Sequence, residues 1–185
     1  MARGKSITRE LVAETAIAMA KESGIDNVTY NQLARELGIR PQSMYRYVKN
    51  IREVRIIILR AFLDEMIEFL RKSLEGKQPK EALYIFSAQL YDFSRENPSY
   101  NESLELLHQY DIVGELQEQL NNLTTLVRVP IESLKPQEAS RYTQLFMAVA
   151  IGYTHMGIAH ASPTVLQYDR DSYLKSMREF IEKIF

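Results

Sequence analysis

From Gly24 to Val54 the chain reads GIDNVTYNQLARELGIRPQSMYRYVKNIREV. Thr29 can cap a helix that begins at Tyr30, because its hydroxyl can accept one of the free N–H groups of a first turn. Leu33, Ala34 and Leu37 give that helix one apolar face, and Gly38 stops it. A second short helix is expected over Arg40 to Tyr47. Pro41 sits in its first turn, where no backbone N–H is needed, and Met44 and Val48 lie four residues apart as its inward stripe. Two short helices around a glycine-containing turn form a helix-turn-helix, whose second helix enters the major groove of DNA while the first crosses the backbone. Burying Met44 and Val48 leaves Gln42, Ser43, Tyr45, Arg46 and Tyr47 facing outward. Gln and Arg can pair with the edges of adenine and guanine, and Ser and Tyr hydroxyls can bond phosphate oxygens. The plain structural alternative is a helical corner packed only for stability.

On either side of this stretch the periodicity is helical. Ile7 to Ser23 repeats Val12, Ala16, Met19 and Ala20 on one face, and Gly24 supplies its C-cap. A long fourth helix is expected over Ile51 to Leu74, spanning roughly 36 Å at 1.5 Å per residue. Gly76 to Pro79 marks a turn. Further helices are expected at Lys80–Glu96, Ser99–His108, Ile112–Val127, Gln137–Ala161 and Arg170–Ile184, with Pro130–Pro136 and the stretch from Ser162-Pro163 as loops. The fold class is all-α. Its nine helices fall into a helix-turn-helix domain at 1–50 and a helical body at 51–185.

The composition supports a globular chain: 45% of the 185 residues are hydrophobic and 25% charged, and the 7 Gly and 6 Pro are few for a turn-rich β protein. The absence of cysteine excludes disulfides and thiolate metal sites. No signal peptide and no membrane span are expected, and a cytoplasmic location fits. The net charge of −1 hides a division. Residues 1–60 carry 11 Lys/Arg against 6 Asp/Glu, whereas the remainder carries 12 against 18. A basic head on an acidic body suggests that the head alone meets a polyanion.

Residues 7–55 resemble the DNA-binding domain of the tetracycline-repressor (TetR) family. The matching register is Gly24, Thr29, Leu33-Ala34, Leu37-Gly38-Ile39, Ser43, Met44-Tyr45, the aromatic Tyr47, Val48-Lys49-Asn50 and Val54. The resemblance implies a repressor that binds a palindromic operator as a dimer and is released by a small molecule. It implies that Gln42, Ser43 and Arg46 reach base edges, and that Tyr45 and Tyr47 hold phosphates. Arg40 belongs to the same surface. Thr29 or Tyr30 would lie where the second helix meets the DNA backbone, with Lys49 flanking it. The family commonly has Lys where this chain has Ile51, so Arg52 is the candidate replacement. The segment Leu90 to Tyr100 resembles one subclass of the family's C-terminal domain.

In the family the last two helices pair with those of a second copy, and Ala148, Gly152, Gly157 and Ala159 would permit close approach. An effector pocket would lie in the body, with candidate liners Phe62, Met66, Phe69, Phe86, Leu90, Leu104, His108, Tyr110, Phe146 and Tyr153. Such a lining suits a hydrophobic or aromatic effector, which could act by tilting the fourth helix. A DNA-bound adaptor regulated by a protein partner is the alternative. A di-iron enzyme is a distant third: Glu105 and His108 have the right spacing, but no second pair accompanies them. His155 and His160 stand five apart, a poor spacing for one metal, so no metal, cofactor or enzyme activity is expected. One measurement follows from the charge division. DNA affinity should fall steeply as salt rises, because each phosphate neutralised releases counterions. A flat salt dependence would contradict a head that works as a polycation.

Overall fold

The computed structural model describes residues 6–98, 114–159 and 169–185. Among them there are seven α-helices and three short 3-10 turns: α1 (Arg9–Ser23), α2 (Tyr30–Glu36), α3 (Ile51–Leu74), α4 (Pro79–Glu96), α5 (Gln117–Leu134), α6 (Ala139–Ala159) and α7 (Arg170–Ile184), with 3-10 turns at Ile25–Asn27, Pro41–Arg46 and Pro136–Glu138. No strand occurs among the described residues, and none of their helices is long and apolar enough to cross a membrane. The helix expected over Ser99–His108 lies outside the described residues, as does the loop at Ser162-Pro163. The chain divides into two compact units: among the described residues the first takes 6–63 with 114–116, and the second takes 64–98 with the rest from Gln117 on, so one division falls inside α3.

The first unit is closed by small and branched residues. Val12, Ala16 and Ala20 of α1 are fully buried, as are Ile25 and Val28 of the connector and Leu33 and Ala34 of α2. Thr8, not Ile7, sets the start of α1: its hydroxyl accepts the Leu11 N–H at 3.2 Å. Gly24 ends the helix at φ 86, where a side chain would be strained, and its N–H returns to the Ala20 carbonyl.

In the second unit α4 packs against α5, α6 and α7. Its sequence explains this central place. Leu83, Phe86, Ser87, Leu90, Tyr91, Phe93 and Ser94 are all buried, too broad an apolar band for a helix with one wet face. Phe86 meets Phe146 of α6 with ring centroids 6.1 Å apart. Arg170, at the start of α7, holds Asp92 of α4 through two hydrogen bonds of 2.5 and 2.6 Å, the fork geometry in which Arg binds carboxylate best.

Three expectations about the elements need correction. The recognition segment is a 3-10 turn over Pro41–Arg46 rather than an α-helix over Arg40–Tyr47. Its bonds are of the i to i+3 kind, Ser43 N–H to Arg40 carbonyl at 2.8 Å and Tyr47 N–H to Met44 carbonyl at 2.9 Å. Pro130–Pro136 is not a loop, because α5 runs through Pro130 to Leu134. Proline there removes the bond to the Leu126 carbonyl, a cost of about 3 kcal/mol in a helix interior. Val127 and Ile131, both fully buried and four apart, flank the break and keep the helix seated. Finally, α6 begins at Ala139, after the 3-10 turn Pro136–Glu138 has taken up the residues before it.

Tyr173 of α7 is fully buried and lies near the hydroxyls of Ser87 and Thr154, yet its own hydroxyl has no well-directed partner among the described residues. Burial pushes its phenol from the ordinary 10 up to about 12, with Ser87 and Thr154 opposing the rise. The neutral phenol is therefore the form the fold favours. Its contribution is complete below pH 10 and is lost as pH climbs through about 12. Tyr173→Phe should leave thermal stability at neutral pH unchanged or raised, and should remove one late step from a tyrosinate absorbance titration. A loss of more than about 2 kcal/mol at neutral pH would mean that the hydroxyl is well bonded after all.

Candidate nucleic-acid interface

A 3-10 turn has three residues per turn, so positions three apart eclipse one another. The recognition turn therefore has three rows. Met44 is fully buried and Tyr47 half-buried, which makes that row the inward one and leaves Tyr47, expected to face outward, only partly in solvent. The other two rows, Gln42 with Tyr45 and Ser43 with Arg46, face outward. Gln42, Tyr45 and Arg46 are exposed and Ser43 is half-buried. Tyr45 is 67% exposed, but its ring is not loose: it leans on Tyr30 of α2 with centroids 5.3 Å apart.

The flanking candidates fall around this turn. Thr29 is exposed and closes a capping box with Gln32: its hydroxyl accepts the Gln32 N–H, and the Gln32 side chain accepts the Thr29 N–H at 3.2 Å. Tyr30 is half-buried. Its hydroxyl donates to the Val48 carbonyl, so it is committed inside the protein. Burial, with Tyr45 and Glu53 nearby, raises its pKa and keeps it a donor. Arg40 precedes the turn and is exposed, as is Lys49 after it. Arg52 is exposed and pairs with Glu115 at 2.8 Å, with both partners close to half in solvent. Such a surface pair is worth at most about 1 kcal/mol, so a phosphate can compete for the guanidinium.

Two contributors were not singled out from the sequence. Asn50 accepts the Glu53 N–H at 2.9 Å and so starts α3. Glu53 accepts from the Arg9 guanidinium and from the Lys49 N–H. The Asn50-x-x-Glu53 spacing is a capping pattern that could have revealed both.

The second unit keeps four of the ten effector candidates inside. Met66, Phe86, Leu90 and Phe146 are buried there. Phe69 is 38% exposed beside Phe93, and Tyr153 is stacked on Tyr173 at 4.4 Å. Phe62, also buried, belongs to the first unit. Leu104, His108 and Tyr110 lie outside the described residues, as does His160. An open cleft of about 510 Å³ in the second unit is lined by Leu74, Pro79, Leu126, Val129 and Pro130 among others, and by none of the seven candidates among the described residues.

Comparison with known proteins bears on the fold. The SCO7222 regulator of Streptomyces coelicolor, a TetR, superposes with a TM-score of 0.71 over 96% of both chains, at 13% identity. The fold is the TetR fold. The transcriptional regulator FadR of Bacillus subtilis, solved in complex with stearoyl-CoA, matches with a TM-score of 0.66 at 14% identity, over 92% of this chain and 95% of its own. By sequence, the uncharacterized HTH-type transcriptional regulator YobS of Bacillus subtilis is 22% identical over 97 residues, which is 52% of this chain and 51% of that protein. The chain spans about half the length of the curated relatives it matches. No family model matches it.

Proposed function

We propose that this chain is a sequence-specific DNA-binding transcriptional regulator, a repressor released by a small hydrophobic or aromatic effector. The observation that carries the reading is the recognition turn, with two polar rows held outward on a head whose core is closed. In this reading residues 1–50 read DNA, and residues 51–185 bind effector and a second copy. The Ser43–Arg46 row and Gln42 read base edges. Tyr45, Tyr47, Arg40, Lys49 and Arg52 meet phosphates together with the N-terminal end of α2 at Thr29, while Tyr30 acts through the protein. FadR, whose structure holds stearoyl-CoA, supports control by an effector. By linkage, such an effector must bind the DNA-free state more tightly, and DNA must weaken it in equal measure.

For the dimer we place the seam on α6. Leu145, Ala148 and Gly152 stand on its exposed side, and a methyl group at Gly152 would meet nothing within 4 Å, which leaves room for a partner helix. Four apolar residues of α7, Tyr173, Leu174, Met177 and Ile181, are spent on the core of the protomer, while Phe180 and Ile184 are half-buried. Its outward positions Ser172, Lys175, Glu179 and Lys183 are polar, so α7 would flank the seam.

Arg46 is the residue assigned to discrimination. Using a duplex selected from a random-sequence library by the wild-type protein, Arg46→Ala should cost roughly 1–3 kcal/mol and relax preference at one base pair per half-site. Tyr45→Phe should weaken selected and random duplexes alike. Equal losses on both duplexes for Arg46→Ala would move Arg46 to the phosphate contacts.

A further inference from the structure

Two hydrogen bonds of the head close on a single peptide group. The Tyr30 hydroxyl, on α2, donates to the carbonyl of Val48. The Glu53 carboxylate, in the first turn of α3, accepts the N–H of Lys49 at 2.6 Å. That carbonyl and that N–H are the two polar ends of the Val48–Lys49 peptide. A peptide is a rigid plane, so gripping both ends fixes its orientation as well as its position.

The gripped peptide is the exit of the recognition turn. Val48 N–H, in the peptide just before it, returns to the Met44 carbonyl at 3.1 Å, so the gripped plane follows the last hydrogen bond of the turn by a single residue. Both gripping side chains are themselves held. The Tyr30 ring rests on Tyr45, and Glu53 is fixed by Arg9 of α1 through its other oxygen and by the Asn50 cap through its own N–H. The bond to Glu53 is charge-assisted, and that side chain is only 22% exposed, so water competes weakly for it. A six-residue 3-10 turn has few bonds of its own with which to hold its attitude.

We infer that the Val48–Lys49 peptide is the joint through which α3 sets the attitude of the recognition turn, with Tyr30 and Glu53 as its positioning residues. The inference rests on the DNA-binding reading and deepens it. Displacing the first turn of α3 carries Glu53 with it. The peptide then follows or loses its bond, while Tyr30 resists from α2. The exposed rows at Gln42–Tyr45 and Ser43–Arg46 are thereby coupled to the position of α3.

The test uses the full chain, Tyr30→Phe, Glu53→Gln and the double variant, with the duplex selected by the wild type and a random duplex. Each single variant should lose about tenfold in affinity for the selected duplex and leave random-duplex binding unchanged. The double variant should lose little more than the worse single one, because both act on one peptide. In the free protein, hydrogen exchange at the Lys49 amide should quicken in both single variants. Undiminished discrimination, equal losses on both duplexes, or a Lys49 amide as protected as in the wild type would overturn the inference. If the wild type selects no duplex, the DNA-binding reading fails, and Lys49 exchange still decides whether the joint exists. Tyr30→Phe deletes one oxygen only and settles the matter alone should Glu53→Gln fail to fold.

Discussion

A turn of six residues cannot stabilise itself in water, because too few hydrogen bonds form for the dihedral angles that must be fixed. Everything functional in the head depends on solving that problem from outside. Met44 and Val48 solve half of it by burial among the residues that also bury Leu33 and Ala34, which seats the turn against the rest of the first unit. Burial is non-directional, however, and holds a turn down without aiming it. The aim comes from directional bonds at the two ends: the Thr29 capping box at the start of α2, and the hydroxyl and carboxylate that meet at Val48 and Lys49. With both supplied, side chains such as Arg46 and Gln42 can be left in solvent and still occupy fixed places.

The second unit is built on a different constraint. Its central helix α4 is apolar on too many sides to face water, so three other helices must cover it. That demand explains why the apolar residues of α7 turn inward and why α5 tolerates a proline in its interior. The bidentate Asp92–Arg170 pair then fixes α7 against α4 in register. Leu145, Ala148 and Gly152 remain outward along α6, and the proposed seam with a second copy rests on that row.

The helices were legible where periodicity and punctuation agreed. Gly24, Thr29 and Gly38 each marked a boundary by their backbone or capping chemistry, and α3 was recovered from Ile51 to Leu74 as read. The failures have physical causes. Pro130 punctuates strongly in a sequence, but burial of Val127 and Ile131 overrides it, and that burial depends on tertiary contacts. The recognition turn was mistaken for an α-helix because α and 3-10 patterns differ little over six residues. In the candidate interface, the outward set at Gln42, Tyr45 and Arg46 was readable from the inward stripe. The commitment of Tyr30 to Val48 was not, since the two are eighteen residues apart in the chain. The effector site was least legible of all. Periodicity tells that Phe86, Leu90 and Phe146 point inward, but an inward residue that packs on protein and one that packs on a ligand look alike.

The central claim is that two copies present their recognition turns to successive major grooves on one face of a duplex. Hydroxyl-radical footprinting of the wild-type protein on its selected duplex tests this directly. Two protected patches should appear, centred about 10 base pairs or a multiple of that apart and related by a two-fold axis. A single patch, or uniform protection with no preferred spacing, would contradict the account.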